Sequence, residues 1–404
     1  LSLFANHPKK GDLPSFNELL CGLFAAGIYP PKEAPEQRAA AAVPGGAPKA
    51  ATVLVTGIAA GLPGKSEKLF EEGRMDSLLG GENMIDSVSP ELKDRMANQR
   101  IVRLKKRSDG GDPEFEEVTS PEDVIKLAGQ RGEFDLVEEY GVEKRLADSL
   151  DVTTQMALAA TLEALKDAGI PLVRTYRTTR KGVHLPTGWA LPESLRNETG
   201  VVFSSAFPGY NCLVDELGKH HRFSVSKALA DMGTEISPEA ADKLRSKLGV
   251  DADDDYRFPR DFLFRVLGMG HSQIAEFIGA RGPNVHVNAA CASTTLALST
   301  ACDWISQGRC KRVVVVGADD ITSEQMLPFF GSGFLALGAA TTKGRVEDAA
   351  LPFDRRRHGM IVGMGAVGLV VEEQDTAAAR GAGGIAEILG VEVANSAFHG
   401  SRLD

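Results

Sequence analysis

The run Asn288-Ala-Ala-Cys291-Ala-Ser-Thr sets one thiol among small residues, after an alternating β-type stretch and before a helix-type one. Small neighbours allow the sharp strand-to-helix turn on which an exposed nucleophile can stand. The first turn of the following helix would help carry negative charge on the sulfur. Its free N–H groups could also receive a developing oxyanion. Attack of a thiolate on a thioester is the chemistry such a turn suits. A cysteine between small residues is equally what a buried structural thiol looks like, so this window leaves both readings open. Cys302 and Cys310 lie on or after the helix, lack the turn and are read as structural.

Two further runs look like phosphate-binding loops. In Ala59-Ala-Gly-Leu-Pro-Gly64-Lys65-Ser66, backbone N–H groups and Lys65 could cradle a nucleotide. However, Ala59 stands where that loop needs glycine, and Pro63 removes a donor. Gly363-Met-Gly365-Ala-Val-Gly368 fits a dinucleotide fingerprint, but a strand-like run follows where a helix is required. Strand glycines in close backbone packing account for it better.

The elements that must position Cys291 follow from periodicity. Residues 52–57, 200–205, 286–290, 313–316, 366–372 and 385–393 read as strands. Residues 149–169, 260–278 and 294–307 read as helices, the first stopped by Gly169 and the last by Gly308. Residues 210–260 read as a polar, mostly helical insertion. Strands alternating with helices imply an α/β layered domain. Residues 30–51, rich in Pro, Ala and Gly, read as a linker. That makes residues 1–29 the tail of an upstream domain and starts the main domain at Thr52.

Of the 404 residues, 43% are hydrophobic and 25% charged, which suits a globular chain; the net charge of −10 argues against a nucleic-acid surface. No apolar run reaches the length of a membrane helix. The five cysteines form no C-x-x-C pair or zinc spacing, and their odd count without a signal peptide implies a reducing, cytoplasmic setting. The histidines are His7, His184, His220, His221, His271, His286, His358 and His399. His286 alternates with apolar residues and reads as a satisfied core group; His271 reads as structural or pocket-lining.

Several blocks, in order, carry a resemblance. They are Val55-Thr-Gly-Ile58, Asp151-Val-Thr-Thr-Gln155 with Leu162-Glu-Ala-Leu-Lys-Asp-Ala-Gly169, and Gly279-Ala-Arg-Gly-Pro283. They continue with Asn288-Ala-Ala-Cys291-Ala-Ser, Gly317-Ala-Asp319, and Pro352-Phe-Asp-Arg-Arg-Arg-His-Gly359 with Gly363-x-Gly365-Ala. From Thr52 to Asp404 the chain resembles the N-terminal part of the β-ketoacyl-acyl carrier protein synthases, of the modular polyketide or polyunsaturated-fatty-acid type. The resemblance implies a thiolase-like layered α-β-α-β-α fold: the N-terminal half with an insertion, and an incomplete C-terminal half. It implies that Cys291 accepts an acyl chain for decarboxylative Claisen condensation with a malonyl-type extender. It implies a substrate pocket at Phe207, Phe398 and His399, and an acyltransferase tail in residues 1–29.

By the same resemblance no cofactor is tightly bound. Substrate arrives on the phosphopantetheine of an acyl carrier protein or on coenzyme A. Implied partners are that carrier protein, a second copy of the chain and other domains of one megasynthase. The family's catalytic histidines stand in a His-Gly-Thr and a Gly-His motif well downstream of the region that this chain resembles, and none of the eight histidines stands in either family motif. The chain alone is therefore expected to be incomplete as a condensing enzyme. His358 stands where the family usually has Asp. The alternatives are a non-catalytic synthase-like scaffold that binds acyl carrier protein, and a nucleotide binder through Lys65.

Overall fold

The computed structural model describes residues 51–394 apart from 106–113, 233–235 and 252–254. The chain divides into two compact units, Leu1–Ala50 and Ala51–Asp404. The expected upstream tail at 1–29, the linker up to residue 50, Phe398 and His399 all lie outside the described residues.

The described strands are β1 (Val53–Gly61), β2 (Asp86–Ser87), β3 (Val102–Lys105), β4 (Glu114–Glu117), β5 (Leu127–Gly129) and β6 (Val173–Thr178). They continue with β7 (His184–Ala190), β8 (Thr199–Ser204), β9 (Asn284–Val287), β10 (Arg312–Asp320), β11 (Val362–Glu373) and β12 (Ala386–Ile388). One mixed sheet runs β12-β1-β11-β10-β8-β9, with β5 and β2 joined at one end of β11. Strands β8, β9 and β10 are mutually parallel, so their C-terminal ends meet at one edge of the fold. Strand β11 runs antiparallel to both β10 and β1. β3–β4 and β6–β7 are separate hairpins.

Four helices matter most to the site: α1 (Val152–Asp167), α2 (Tyr210–Asp231), α3 (Gly270–Ile278) and α4 (Ser293–Ser306). The valines of β10 explain why the sheet is covered on both faces. Val314 and Val316 join a core with Ala157, Ala160 and Ala164 of α1. Val313 and Val315 join another with Ala297, Ala301 and Ile305 of α4. A strand buried on both sides reads as a continuous apolar run, as this one does. Helix α1 is capped by the Asp151 carboxylate, which accepts from the N–H groups of Thr153 and Thr154 at 3.0 and 3.2 Å. The Gly363–Gly368 run lies on β11, as its sequence implies. A β-carbon at Gly368 would strike the Ala160 carbonyl, so it is helix α1, not another strand, that needs this glycine.

Three elements differ from expectation. The helix expected over 260–278 is two pieces, Phe262–Val266 and α3. The chain passes His286 between them, where a β-carbon on Gly268 would lie 2.9 Å from the imidazole Nδ1. The strand expected over 286–290 is β9, which ends at Val287 and leaves Asn288 to Ala290 in the turn. The last strand is only three residues long, β12.

The nucleotide reading of Lys65 is corrected. No helix starts after Lys65; the next one, Arg74–Leu79, begins nine residues on and has only 6 residues. The Lys65 N–H is taken by the Asp86 carboxylate at 3.2 Å. Glu67, Glu71 and Glu72 line the same hollow, and their charge repels phosphate.

At the edge of the sheet away from the C-terminal ends of β8 to β10, Glu372 is 0% exposed and faces Arg312, itself 1% exposed. Arg312 Nε donates to Glu372 Oε1 at 2.7 Å, Thr56 Oγ1 donates to Oε2 at 2.6 Å, and Arg380 bonds the same carboxylate. Burial alone would raise the Glu372 carboxyl. The Arg380 hydrogen bonds, the Arg312 charge and the Thr56 hydroxyl outweigh it and hold the group below its ordinary 4.5. A depressed carboxyl stabilises the fold above its ordinary value, and that contribution is lost as pH falls through the depressed value. Glu372→Gln leaves a buried arginine uncompensated and should cost about 3–5 kcal/mol in urea unfolding near neutral pH. The gap between variant and wild type should narrow once the pH drops below the ordinary carboxyl range.

Candidate active site

Strands β8 and β9 pair in register from Val201 with Asn284 to Ser204 with Val287, so both end together. Beyond β9 the chain turns through Asn288-Ala-Ala-Cys291 into α4. Cys291 is exposed, whereas Cys212, Cys302 and Cys310 are buried and none of the four is in a disulfide. Burial pushes the thiols of the other three up, that of Cys310 to about 11. The structure therefore separates one accessible sulfur from three core sulfurs among the described residues.

The turn is strained and held. Ala290 has φ 50°, in the left-handed region. A residue with a β-carbon there costs roughly 1–2 kcal/mol, so its surroundings must impose the conformation. The Ala290 N–H donates to Asn288 Oδ1 at 3.1 Å. Ser293 Oγ accepts from the Ala289 N–H at 2.9 Å and donates to the Ala290 carbonyl at 2.6 Å. Ser293 is 4% exposed, so these bonds are shielded from water. Helix α4 begins with Ala292 as its cap, and no side chain takes its first N–H groups. The Ala292 and Ser293 N–H groups donate to the Ala289 and Ala290 carbonyls at 3.1 Å, so it is the next N–H groups of the first turn that suit charge developing on an oxygen beside Cys291.

A second turn, just past β8, locks the first. The half-buried Asp319 carboxylate at the end of β10 accepts from Ser205 Oγ at 2.8 Å, the Ala206 N–H at 2.9 Å and the Phe207 N–H at 2.9 Å. Burial raises the Asp319 carboxyl, although the bonds from Ala206, Ser205 and Phe207 oppose it. From this turn the Ala206 carbonyl accepts from Asn288 Nδ2 at 3.2 Å. One asparagine thus ties both turns together.

Phe207 is part of this assembly. Its ring lies 4.8 Å from Phe330 and 6.2 Å from Tyr210, whose rings are 5.3 Å apart. The other pocket residues expected from the sequence, Phe398 and His399, are outside the described residues. His358 is exposed and meets the Thr341 hydroxyl at 3.3 Å. His286 packs on Phe203 at 5.4 Å and His271 lies on α3; burial holds both imidazoles below their ordinary range, and His286 adds to the effect on His271. The sequence reading gave no role to Asp319, Asn288, Ser205 or Ser293. One signal was present: Asp319 follows four valines and a Gly-Ala pair, so its carboxylate had to find donors at a buried strand end.

The family described as "Beta-ketoacyl synthase, N-terminal domain" matches residues 50–377, and the chain belongs to that family. Among relatives, a 3-oxoacyl-[acyl-carrier-protein] synthase 2 of Staphylococcus aureus is 26% identical over 277 residues, 68% of this chain and 55% of that protein. A putative polyketide beta-ketoacyl synthase 1 of Streptomyces halstedii is 29% identical over 267 residues, 65% of this chain and 52% of that protein. The chain thus spans about half the length of these relatives. A solved beta-ketoacyl synthase from Burkholderia phymatum STM815 is 20% identical, with a TM-score of 0.48 over 84% of this chain and 63% of that one.

The strain at Ala290 can be tested directly. A β-branched residue tolerates positive φ worse than alanine does, so Ala290→Val should lower stability by roughly 2–3 kcal/mol in denaturant unfolding. Ala290→Gly should stay within about 1 kcal/mol of wild type, because glycine adopts this φ without strain.

Proposed function

We propose that this chain is the acyl-accepting part of a β-ketoacyl synthase acting in fatty acid or polyketide synthesis. The observation that carries the reading is Cys291, an exposed thiol on a strained strand-to-helix turn fixed by Asn288 and Ser293. Cys291 Sγ attacks the carbonyl carbon of an acyl thioester. The new C–S bond forms as the old one breaks, and the departing thiol carries away a proton. The acyl group then rests on Cys291, with its carbonyl oxygen toward the first N–H groups of α4. Phe207, with Tyr210 and Phe330, forms an apolar wall for the chain of that acyl group.

The incoming acyl group is carried on the phosphopantetheine of an acyl carrier protein or on coenzyme A, and no tightly bound cofactor takes part. Decarboxylation of a malonyl-type extender and attack of its carbanion complete the condensation. That step uses the family's histidines in a His-Gly-Thr and a Gly-His motif downstream of the region matched here; the step assigned to Cys291 is acyl capture. The chain works as a homodimer within a larger megasynthase, with an acyltransferase tail and a linker ahead of the domain that starts at Thr52. Its setting is the reducing cytoplasm, in keeping with four free cysteines among the described residues.

Incubation with acyl-CoA or cerulenin, followed by peptide mass spectrometry, tests this reading. The expected result is a single adduct on Cys291, absent from Cys291→Ala. An unmodified Cys291, or equal modification of Cys302 or Cys310, would leave the chain a non-catalytic scaffold for acyl carrier protein.

A further inference from the structure

His286 makes a contact that a merely space-filling core histidine would not need. Its Nε2 lies 3.2 Å from the Ser205 carbonyl oxygen. A carbonyl can only accept, so Nε2 carries the proton, and the neutral ring has Nδ1 as its bare nitrogen. Gly268 accommodates that nitrogen by having no β-carbon. The ring also packs, tilted by 34°, against Phe203, its partner in register on β8. Its orientation is therefore set on three sides.

Ser205 is the first residue of the turn that Asp319 grips. Its N–H donates to the Val287 carbonyl at 3.3 Å and its Oγ to Asp319, while its carbonyl oxygen receives His286. The next carbonyl, of Ala206, receives Asn288, and Asn288 in turn receives the Ala290 N–H. From these bonds we infer that His286 is a positioning residue for Cys291. Its Nε2–H fixes the Ser205–Ala206 peptide; the next peptide, Ala206–Phe207, carries the carbonyl that receives Asn288, and Asn288 holds the strained Ala290 beside the thiol. Without the donor the Ser205 carbonyl loses its partner and only the bonds to Asp319 and Val287 still hold this stretch, so the elbow loses part of what holds it. The function assigned to this geometry rests on the acyl-acceptor reading above, but the geometry itself does not.

The test uses side chains that keep or lose a donor at the Nε2 position. Glutamine places an amide N–H near Nε2. Asparagine stops short of Ser205, and leucine has no donor. In the full chain, the rate of Cys291 alkylation by iodoacetamide is measured alongside the rate of acyl transfer from acyl-CoA, with thermal unfolding followed for each variant. His286→Gln should keep both rates within about threefold of wild type, while His286→Asn and His286→Leu should lose about tenfold or more, as displaced reacting groups do. If His286→Leu does not fold, the Gln and Asn pair decides. Equal rates for Gln and Asn, whether fast or slow, would overturn the inference, because packing alone would then account for His286. Failure of wild type to take up acyl groups would sink the acyl-acceptor reading only, since the alkylation rates still decide the role of His286.

Discussion

A carboxylate drawn out of bulk water must be met by donors or it destabilises the fold. Asp319 is that carboxylate here, and the arrangement at the sulfur's end of the sheet follows from how it is met. Its donors come from one short stretch, Ser205 to Phe207, so β8 cannot simply run on; it must turn. The turn exposes two carbonyls, which His286 of the neighbouring strand and Asn288 just past its end take up. Asn288 then holds Ala290 at a φ that alanine avoids when free. The exposed thiol of Cys291 is the end of this chain of obligations.

The two ends of the sheet divide stability from chemistry. At one, Glu372 is closed in by Arg312, Arg380 and Thr56, an ion network whose carboxylate and Arg312 are buried while Arg380 reaches the surface. Such a network is sensitive to loss of any partner and contributes little that could react. At the other, the parallel strands end together, and helix α4 begins with its N–H groups uncapped by any side chain. Open α/β sheets place their reactive groups beyond the carboxyl ends of parallel strands for this reason. The antiparallel strand β11 links the ends: it carries Glu372 and spans the full length of β10.

Much of this was legible in the sequence because it depends on local chemistry. Four consecutive valines could only be a strand buried on both faces, and they are. Small residues around Cys291 marked the turn, and the ordered motifs marked the family. What escaped notice depends on contacts distant in sequence. Glycine stands at 268, just past the helix break, because His286, eighteen residues on, occupies the space a side chain would need. The left-handed Ala290 is invisible in a run of alanines, since it is imposed by Asn288 and Ser293 rather than chosen. In the sequence Asp319 is visible only as part of the Gly317-Ala-Asp319 block, because its donors lie more than a hundred positions earlier. The loop after Lys65 shows the converse: a local pattern that suits phosphate is overruled by the carboxylates folded around it.

A crystal structure of the chain after reaction with an acyl thioester tests the central claim most directly. The account predicts continuous density from Cys291 Sγ, with the thioester oxygen within hydrogen-bonding distance of backbone N–H groups at the start of α4 and the Asn288–Ala290 turn unchanged. Density on a different sulfur, or an acylated Cys291 whose turn has relaxed to negative φ at Ala290, would contradict it.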